Sequence, residues 1–497
     1  MIWVIWALLL VPALAGSAAL AIKGNGLRRA LLLGTAVVHL LLTAAAWALR
    51  PGPTAGGWLA LDAPGLFYLA VLSLVFLAGS TYLVGFLARE AKGRRVDIGE
   101  TGVFFRPRRE ASFTACLLFM LSAMTLAAAS QHFGLLWVAV EGSTLAAAPL
   151  IFHTRSQRSL EATWKYLVLC SVGVALALLG NFFLAVAFEN TAAEPRALTL
   201  GNLLAGAGTL NLPWLKAAFL FFLIGYGSKM GLAPMHSWLP DAYSEAPAGV
   251  AALLSGALSL APFLGLLRMQ QVCAAAGIGA FGGELLVGFG LVSMLVAAVF
   301  ILGQSDYKRM LAYSSVEHMG ILAFGVGIGG AALFGAVLHT LYNSLAKGMM
   351  FFLAGNIYRA YKTRNSGEVR GLLHVLPLTG VLWVAGFLAM TGSPPFGPFL
   401  SELAILKGTL DVGRNREAAL FLLFLALNFI GMATPVLRMA QTPPDGHPAG
   451  SARRPEGALA IVPPAALALL VLVLGVWIPP AVNEALREVA RALGGAP

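Results

Sequence analysis

Apolar stretches of roughly 20 residues recur along the whole of this 497-residue chain. Each is long enough to cross a hydrocarbon core of about 30 Å as an α-helix. No soluble domain of ordinary size is left between them. The pattern predicts an all-α polytopic membrane protein with about 14 transmembrane helices. The predicted segments are 2–22, 28–49, 63–88, 112–130, 133–152, 162–188, 213–240, 247–271, 284–303, 308–328, 331–358, 376–410, 417–438 and 459–480.

Charge is scarce and unevenly placed. Charged residues make up 11% of the chain, against about 25% in soluble domains. Of the Lys and Arg residues in loops, 21 follow odd-numbered segments and only 5 follow even-numbered ones. This positive-inside pattern predicts that both termini lie on the non-cytoplasmic side, and it accounts for the net charge of +11 without nucleic-acid binding. Residues 2–22 are predicted to be the first span rather than a signal peptide, because the basic residues follow the apolar run instead of preceding it.

Helix breakers interrupt two of the segments. Gly231 and Pro234 interrupt residues 213–240, and the run GSPPFGP (392–398) interrupts residues 376–410. The two segments are five apart and so cross in opposite directions, which predicts two inverted five-helix repeats with ion sites at the breaks. The predicted organisation is an N-terminal three-helix segment with a cytoplasmic loop (1–110), a first repeat (111–275), a second repeat (276–440), and a C-terminal helix and tail (441–497).

Ionisable side chains inside the apolar segments are the candidate functional residues. A charge at membrane depth costs about 2.5–3.5 kcal/mol on insertion scales, so it faces a protein interior or a wet cavity. We expect a proton path through Glu141, Lys229, His318, His339, Lys347, Glu402 and Lys407.

Several of these residues suggest roles by their positions. Glu141 and Lys229 fall in the same proposed repeat and together make a possible proton switch. His339 and Lys347 share a helix face at spacing i and i+8. Each residue also has a structural alternative. Glu141 could form a hydrogen bond that locks two helices, Lys347 could snorkel to an interface, and His339 could be an interior histidine with satisfied hydrogen bonds. For Lys407 an ion pair at a helix end is the stronger alternative.

Motifs of catalytic and cofactor sites are missing from the sequence. There is no Walker A loop, dinucleotide fingerprint, CxxC pair, HExxH or nucleophile elbow. Cys116, Cys170 and Cys273 have neither metal-ligand nor disulfide spacing. We therefore expect no catalytic centre, no cofactor and no metal in this chain.

Four motifs carry a family resemblance: GSKMGLAPMHSWLPDAYSEAPAGVAALLSGAL, QSDYKRMLAYSSVEHMGILAFG, LAKGMMFFLAGN and GSPPFGPFLSE. They resemble the antiporter-like subunits of respiratory complex I, which are shared with the Mrp cation/proton antiporters and the membrane arms of group 4 [NiFe] hydrogenases. The resemblance covers nearly all the predicted segments and is strongest to the hydrogenase 4 component F type.

The resemblance implies a non-catalytic subunit of a redox-driven proton pump, in a prokaryotic inner membrane, with a central hydrophilic axis. Glu141 and Lys229 match the glutamate–lysine pair of the family, Lys347 its central lysine, and Glu402 the terminal residue of the second broken helix. The implied partners are the lipid bilayer, other membrane subunits, and soluble iron–sulfur and [NiFe]-hydrogenase-like subunits.

Two positions depart from the family pattern. Leu260 stands where many members have lysine or histidine, and Asn343 stands where many have histidine. Three functions therefore stay open. The chain is a proton-translocating subunit of an NADH-quinone oxidoreductase-like or hydrogenase-like complex, a subunit of an Mrp-type Na⁺/H⁺ antiporter, or a non-conducting scaffold of a membrane arm. The electron donor and acceptor, the coupled ion and the individual partners stay open as well.

Overall fold

The computed structural model describes residues 2–93, 109–189, 197–443 and 454–494. These ranges are helical almost throughout, and their only β-structure is a few isolated bridges such as Leu59–Ser130. The predicted all-α class is confirmed. In the first half the helices are α1 (Trp3–Ala21), α2 (Asn25–Leu49), α3 (Ala63–Gly93), α4 (Arg109–Ala129), α5 (Phe133–Ile151), α6 (Gln157–Glu189), α7 (Leu200–Ala205), α8 (Leu212–Met230), α9 (Trp238–Glu245), α10 (Ala248–Leu253) and α11 (Leu260–Ala275). In the second half they are α12 (Gly279–Ile301), α13 (Tyr307–Ile328), α14 (Gly330–Tyr361), α15 (Leu372–Val375), α16 (Pro377–Met390), α17 (Gly397–Asp411), α18 (Asn415–Gln441), α19 (Ala458–Val476) and α20 (Pro480–Ala492).

Every predicted segment coincides with one of these helices or with a short series of them. Within the described ranges, 11 helical segments are long and apolar enough to cross a membrane. The predicted segments outside that set are the helix α14 and the two broken pairs α8–α9 and α16–α17, which carry buried polar residues or are cut short by a break. The molecule is thus a multi-span membrane protein, while the count of about 14 crossings and the four-part division stay predictions.

The two predicted helix breaks are present. α8 ends at Met230, and Gly231 then takes a left-handed backbone conformation with φ of 91°. α16 ends at Met390, and Gly392 follows with φ of 61°. Glycine adopts such values without a steric penalty because it has no Cβ. Each break therefore brings the C-terminal end of one helix to the start of another inside the protein.

A third irregularity was not predicted. Between α10 and α11 the helix widens into a π-helical turn, Leu254–Leu258, in which the Ser259 N–H bonds to the Leu254 carbonyl at 3.3 Å. Single π turns within α-helices occur frequently at functional sites because they redirect a side chain. Here the turn contains Ser255, which is fully buried.

Small residues set the close approach of α6 and α8. A Cβ atom at Gly225 of α8 would lie 2.7 Å from the Gly173 carbonyl and 2.6 Å from the Ala177 nitrogen, both on α6. Helices in membranes pack closely where small residues face each other. The backbones of α6 and of α8, the helix that carries Lys229, are thereby held nearly in contact.

Loops assigned to one side by the charge bias gather on one face of the molecule. Arg29 pairs with Glu110 at 2.6 Å and donates to the Leu87 carbonyl at 3.1 Å, and His153 lies 3.0 Å from Glu90. The opposite face carries the pairs Arg50–Glu488, Arg268–Asp62 and Arg414–Glu284. The grouping agrees with the predicted alternation, while the assignment of one face to the cytoplasm stays a prediction. Of the residues counted in the bias, Arg94, Arg95, Arg106, Arg108, Arg196 and Arg453 lie outside the described ranges.

Candidate functional site

Lys229 lies in the last turn of α8, next to the first break, and is 1% exposed. Its ammonium nitrogen donates to the Tyr166 hydroxyl at 2.7 Å and lies 4.5 Å from the centre of the same ring. In the part of the chain that the structure describes, no carboxylate lies within ion-pair distance of it. A phenol ring and the carbonyl end of a helix both stabilise a cation, so Tyr166 and α8 take the place of a direct counter-ion.

Glu141 lies in the middle of α5, on the other side of α6. Its Oε1 accepts a hydrogen bond from the Ser171 hydroxyl at 2.8 Å, and its Oε2 is buried without a partner among the described residues. Ser171 and Tyr166 are both on α6. The structure therefore brings Glu141 and Lys229 to the same helix but not into a direct ion pair. Tyr166, which was not predicted from the sequence, is the group that contacts the lysine.

Lys347 lies within α14 and is fully buried. Its ammonium donates to the Ser314 hydroxyl of α13 and lies 3.2 Å from the sulfur of Met390, the last residue of α16. Glu317, a buried residue of α13, is close enough to interact with it electrostatically. Lys347 thus faces the second break as Lys229 faces the first, again without a carboxylate at ion-pair distance among the residues described.

His318 and His339 form a directed chain of hydrogen bonds. His318 Nδ1 lies 2.9 Å from His339 Nε2, and His339 Nδ1 lies 2.9 Å from Ser401 Oγ. The Ser401 hydroxyl itself donates to the Pro398 carbonyl at 2.8 Å, so it accepts from His339 Nδ1–H. A neutral imidazole has one donor and one acceptor, so His339 Nε2 then accepts from His318 Nδ1–H. His318 Nε2 is left as a buried acceptor with no partner in the described ranges.

Glu402 joins this histidine chain at the second break. It packs against Gly392, and its Oε1 is buried without a partner among the residues described. One ligand atom each of His318, His339 and Glu402 lie within 4.8 Å of one another, a donor set of the kind that binds divalent cations. In this structure one nitrogen of each ring is already used by the hydrogen bond between the histidines.

Lys407 is not part of this group. It lies on the same helix as Glu402, but its side chain is 72% exposed and forms an i,i+4 ion pair with Asp411 at 2.6 Å. Five residues at 100° per residue place the two side chains about 140° apart around the helix axis. The structure therefore places six of the seven predicted residues inside the protein, five of them buried and Glu141 partly exposed, and leaves Lys407 at the surface.

Hydroxyl groups lie between the two lysine clusters. Ser255 Oγ, in the π turn, lies 2.8 Å from Ser315 Oγ of α13, next in sequence to the serine that contacts Lys347. On the other side, the Tyr243 hydroxyl donates to the Leu254 carbonyl at 3.1 Å. The Trp238 ring lies between Tyr243 and Tyr166, with ring centres 6.0 and 5.2 Å away. Ser255, Tyr243 and Trp238 were not predicted, although the serine in the motif LLSG was a visible polar residue in an apolar segment.

The two departures from the family pattern have different surroundings. Leu260 lines an apolar cavity of ≈ 30 Å³ together with Phe263 and Leu264. Asn343 is 1% exposed, and neither of its side-chain polar atoms has a partner among the described residues. The first position is therefore apolar, while the second offers unfilled hydrogen-bonding capacity next to the histidine and lysine of α14.

Comparison with known proteins identifies the family. Residues 130–431 match the membrane-domain family described as NADH:quinone oxidoreductase/Mrp antiporter. This chain belongs to that family. A "Hydrogenase-4 component F homolog" of Methylacidiphilum infernorum is 36% identical over 431 residues, which cover 85% of this chain and 88% of the relative. The resemblance inferred from the four motifs is confirmed, and both buried clusters lie inside the matched range.

Solved structures share the same fold. A chain of the membrane-bound sulfane sulfur reductase, an archaeal respiratory membrane complex, superposes with a TM-score of 0.84 at 22% identity, over 99% of this chain and 97% of that one. A chain of respiratory complex I from Thermus thermophilus superposes with a TM-score of 0.73 at 25% identity, over 97% of this chain and 99% of that one. The superpositions show that the present chain has the same fold as these two chains. Both of those chains are subunits of multi-subunit membrane complexes.

Proposed function

We propose that this chain is the proton-translocating, non-catalytic membrane subunit of a redox-driven complex in a prokaryotic inner membrane. The observation that carries the proposal is the pair of buried lysines, each set at a helix break and contacted by a hydroxyl instead of a carboxylate. A buried charge without a strong partner is costly, so such residues are rare in membranes unless they serve an ion path.

The proposed path has three parts. Glu141, Tyr166 and Lys229 form the first. Hydroxyl groups of the π turn and α13 form the link. Lys347 with the two histidines and Glu402 forms the last, which ends at the second break.

Unpartnered polar atoms favour a conducting role over a scaffold. Glu141 Oε2, His318 Nε2, Glu402 Oε1 and the amide of Asn343 are buried without partners in the described chain. Each such atom costs about 1–3 kcal/mol unless water binds it. A scaffold gains nothing from that cost, whereas a proton path needs water at these points, with about 2–4 polar partners for each molecule.

The partners follow from the relatives. Because relatives with this fold are subunits of respiratory complexes, we expect this chain to assemble with other membrane subunits, and with soluble iron–sulfur and [NiFe]-hydrogenase-like subunits. Purification in mild detergent separates this assignment from an Mrp-type antiporter. Recovery of iron–sulfur proteins supports the proposal, and recovery of only small membrane subunits without a redox protein contradicts it.

Proton translocation is tested in membrane vesicles that carry the assembled complex. We expect Glu141→Gln and Lys229→Ala to reduce proton uptake per electron transferred while assembly is retained. Lys216→Ala is the matched control, since Lys216 is on the same helix as Lys229 but is exposed. Wild-type proton uptake in both path variants would rule out the proposed role of the first cluster.

A further inference from the structure

A cavity of ≈ 350 Å³ opens on the face that carries Glu90 and His153, away from the buried charged clusters. It lies between the C-terminal ends of α3 and α14 and the turn that joins α9 to α10. One part of its wall is aromatic or apolar and the other part is basic. The aromatic or apolar part includes Tyr82, Phe86 and Ala248, and the basic part includes Arg89, Arg359 and Lys362.

The carboxylates around this cavity already have partners. Glu245 binds Arg364 in a two-pronged ion pair at 2.5 and 2.9 Å, and Glu90 pairs with His153. Lys308, also in the wall, donates to two backbone carbonyls, at 2.6 and 2.7 Å.

Arg89 and Arg359 are left without a carboxylate partner in the ranges that the structure describes. They lie close enough to act on each other electrostatically, and both act on the ring hydroxyl of Tyr82. Both side chains are partly buried, and Lys362 adds a third positive charge at the rim. The cavity therefore carries a surplus of positive charge that the described chain does not neutralise.

The chemistry of the walls identifies the ligand class. A guanidinium group presents a planar fork of donors that matches a phosphate, and one phosphate between two such groups removes their mutual repulsion. The aromatic and apolar part of the wall, formed by Tyr82, Phe86 and Ala248, suits an apolar neighbour of that phosphate. Basic cavities between membrane helices are a common place for phospholipid headgroups. We propose that this cavity binds the phosphate headgroup of an anionic phospholipid through Arg89 and Arg359.

The test uses the assembled complex in nanodiscs that contain phosphatidylglycerol and phosphatidylcholine. Native mass spectrometry then counts the phosphatidylglycerol molecules retained. The double variant Arg89→Gln/Arg359→Gln removes both guanidinium groups, and we expect retention at this site to weaken about tenfold or more, because two charge-assisted hydrogen-bonding groups are lost. The matched control is Lys23→Gln/Arg155→Gln, which removes two exposed charges from the same face outside the cavity and should retain the lipid as the wild type does.

A second double variant and a phosphate titration complete the test. Arg89→Lys/Arg359→Lys keeps the charge but loses the fork, so it should retain the lipid to an intermediate degree, and it tests the site if the glutamine variant does not fold. Inorganic phosphate is titrated in a thermal-shift assay. Equal phosphatidylglycerol retention by the wild type and the glutamine variant overturns the proposal. It is also overturned if phosphate alone stabilises the protein in an arginine-dependent way while the lipid does not.

Discussion

Replacing Ser255 by alanine tests the link between the two lysine clusters. The substitution removes one oxygen atom, and with it the 2.8 Å contact between the π turn and Ser315 on α13. Ser315 keeps its second hydrogen bond, to the Leu311 carbonyl at 3.1 Å, so the variant should fold. The change therefore breaks the proposed path at one point without removing a charge.

The expected size of the effect follows from the bond that is lost. A neutral hydrogen bond contributes about 0.5–1.5 kcal/mol, and each 1.36 kcal/mol changes a rate tenfold. If this contact supports proton transfer, its loss should slow transfer between the clusters about two- to tenfold. Because the two serines act as one unit, the double variant Ser255→Ala/Ser315→Ala should be no slower than the more affected single variant.

The assay is the initial rate of proton uptake in inverted membrane vesicles, divided by the rate of electron transfer measured in the same sample. Ser259→Ala is the control, since among the described residues that buried hydroxyl donates only to the backbone carbonyl of Ser255, at 2.9 Å. We expect normal proton uptake in the control. A role of the Ser255–Ser315 contact in proton transfer is ruled out if Ser255→Ala behaves like Ser259→Ala. It is also ruled out if the effects of Ser255→Ala and Ser315→Ala are additive.

Three other predictions concern single features. Lys407→Ala should translocate protons at the wild-type rate in the same vesicle assay, because its ammonium is exposed and pairs within its own helix; a large loss would return it to the path. Arg268→Leu should destabilise the protein by about 3–5 kcal/mol in thermal unfolding in detergent, because it breaks a buried ion pair. Arg50→Leu should change the stability little, because its ion pair is exposed. Equal unfolding midpoints of the two variants would contradict this prediction. A cysteine placed within 359–372 should be protected in intact cells from an impermeant thiol reagent, and labelling from outside would reverse the predicted orientation.

The features that could be predicted from sequence are those set by local physics. Span-length apolar runs, glycine and proline breaks, and the cost of a charge at membrane depth each act within one segment. They identified the all-α class, the two breaks, and buried groups such as Lys229 and Lys347. The four motifs identified the family, and all of them lie within the matched residues 130–431.

The partners of those buried groups could not be predicted, because they come from other helices. Tyr166 and Ser255 are ordinary residues in sequence, and only the packing of α6 on α8 and of the π turn on α13 makes them contacts of the site. Helix geometry also separates His339 from Lys347. Both side chains face α13, but eight residues span about 12 Å along the axis, so His339 contacts His318 while Lys347 contacts Ser314.

The most direct test of the account is the proton-per-electron ratio of the purified complex in proteoliposomes, with and without Lys347→Ala. Lys347 is fully buried and faces the second break, and its direct contacts among the described residues are a hydroxyl and a thioether, neither of which carries a positive charge. We expect an assembled complex that still transfers electrons but moves fewer protons for each one. An unchanged ratio in the fully assembled variant would contradict the central claim that this chain conducts protons.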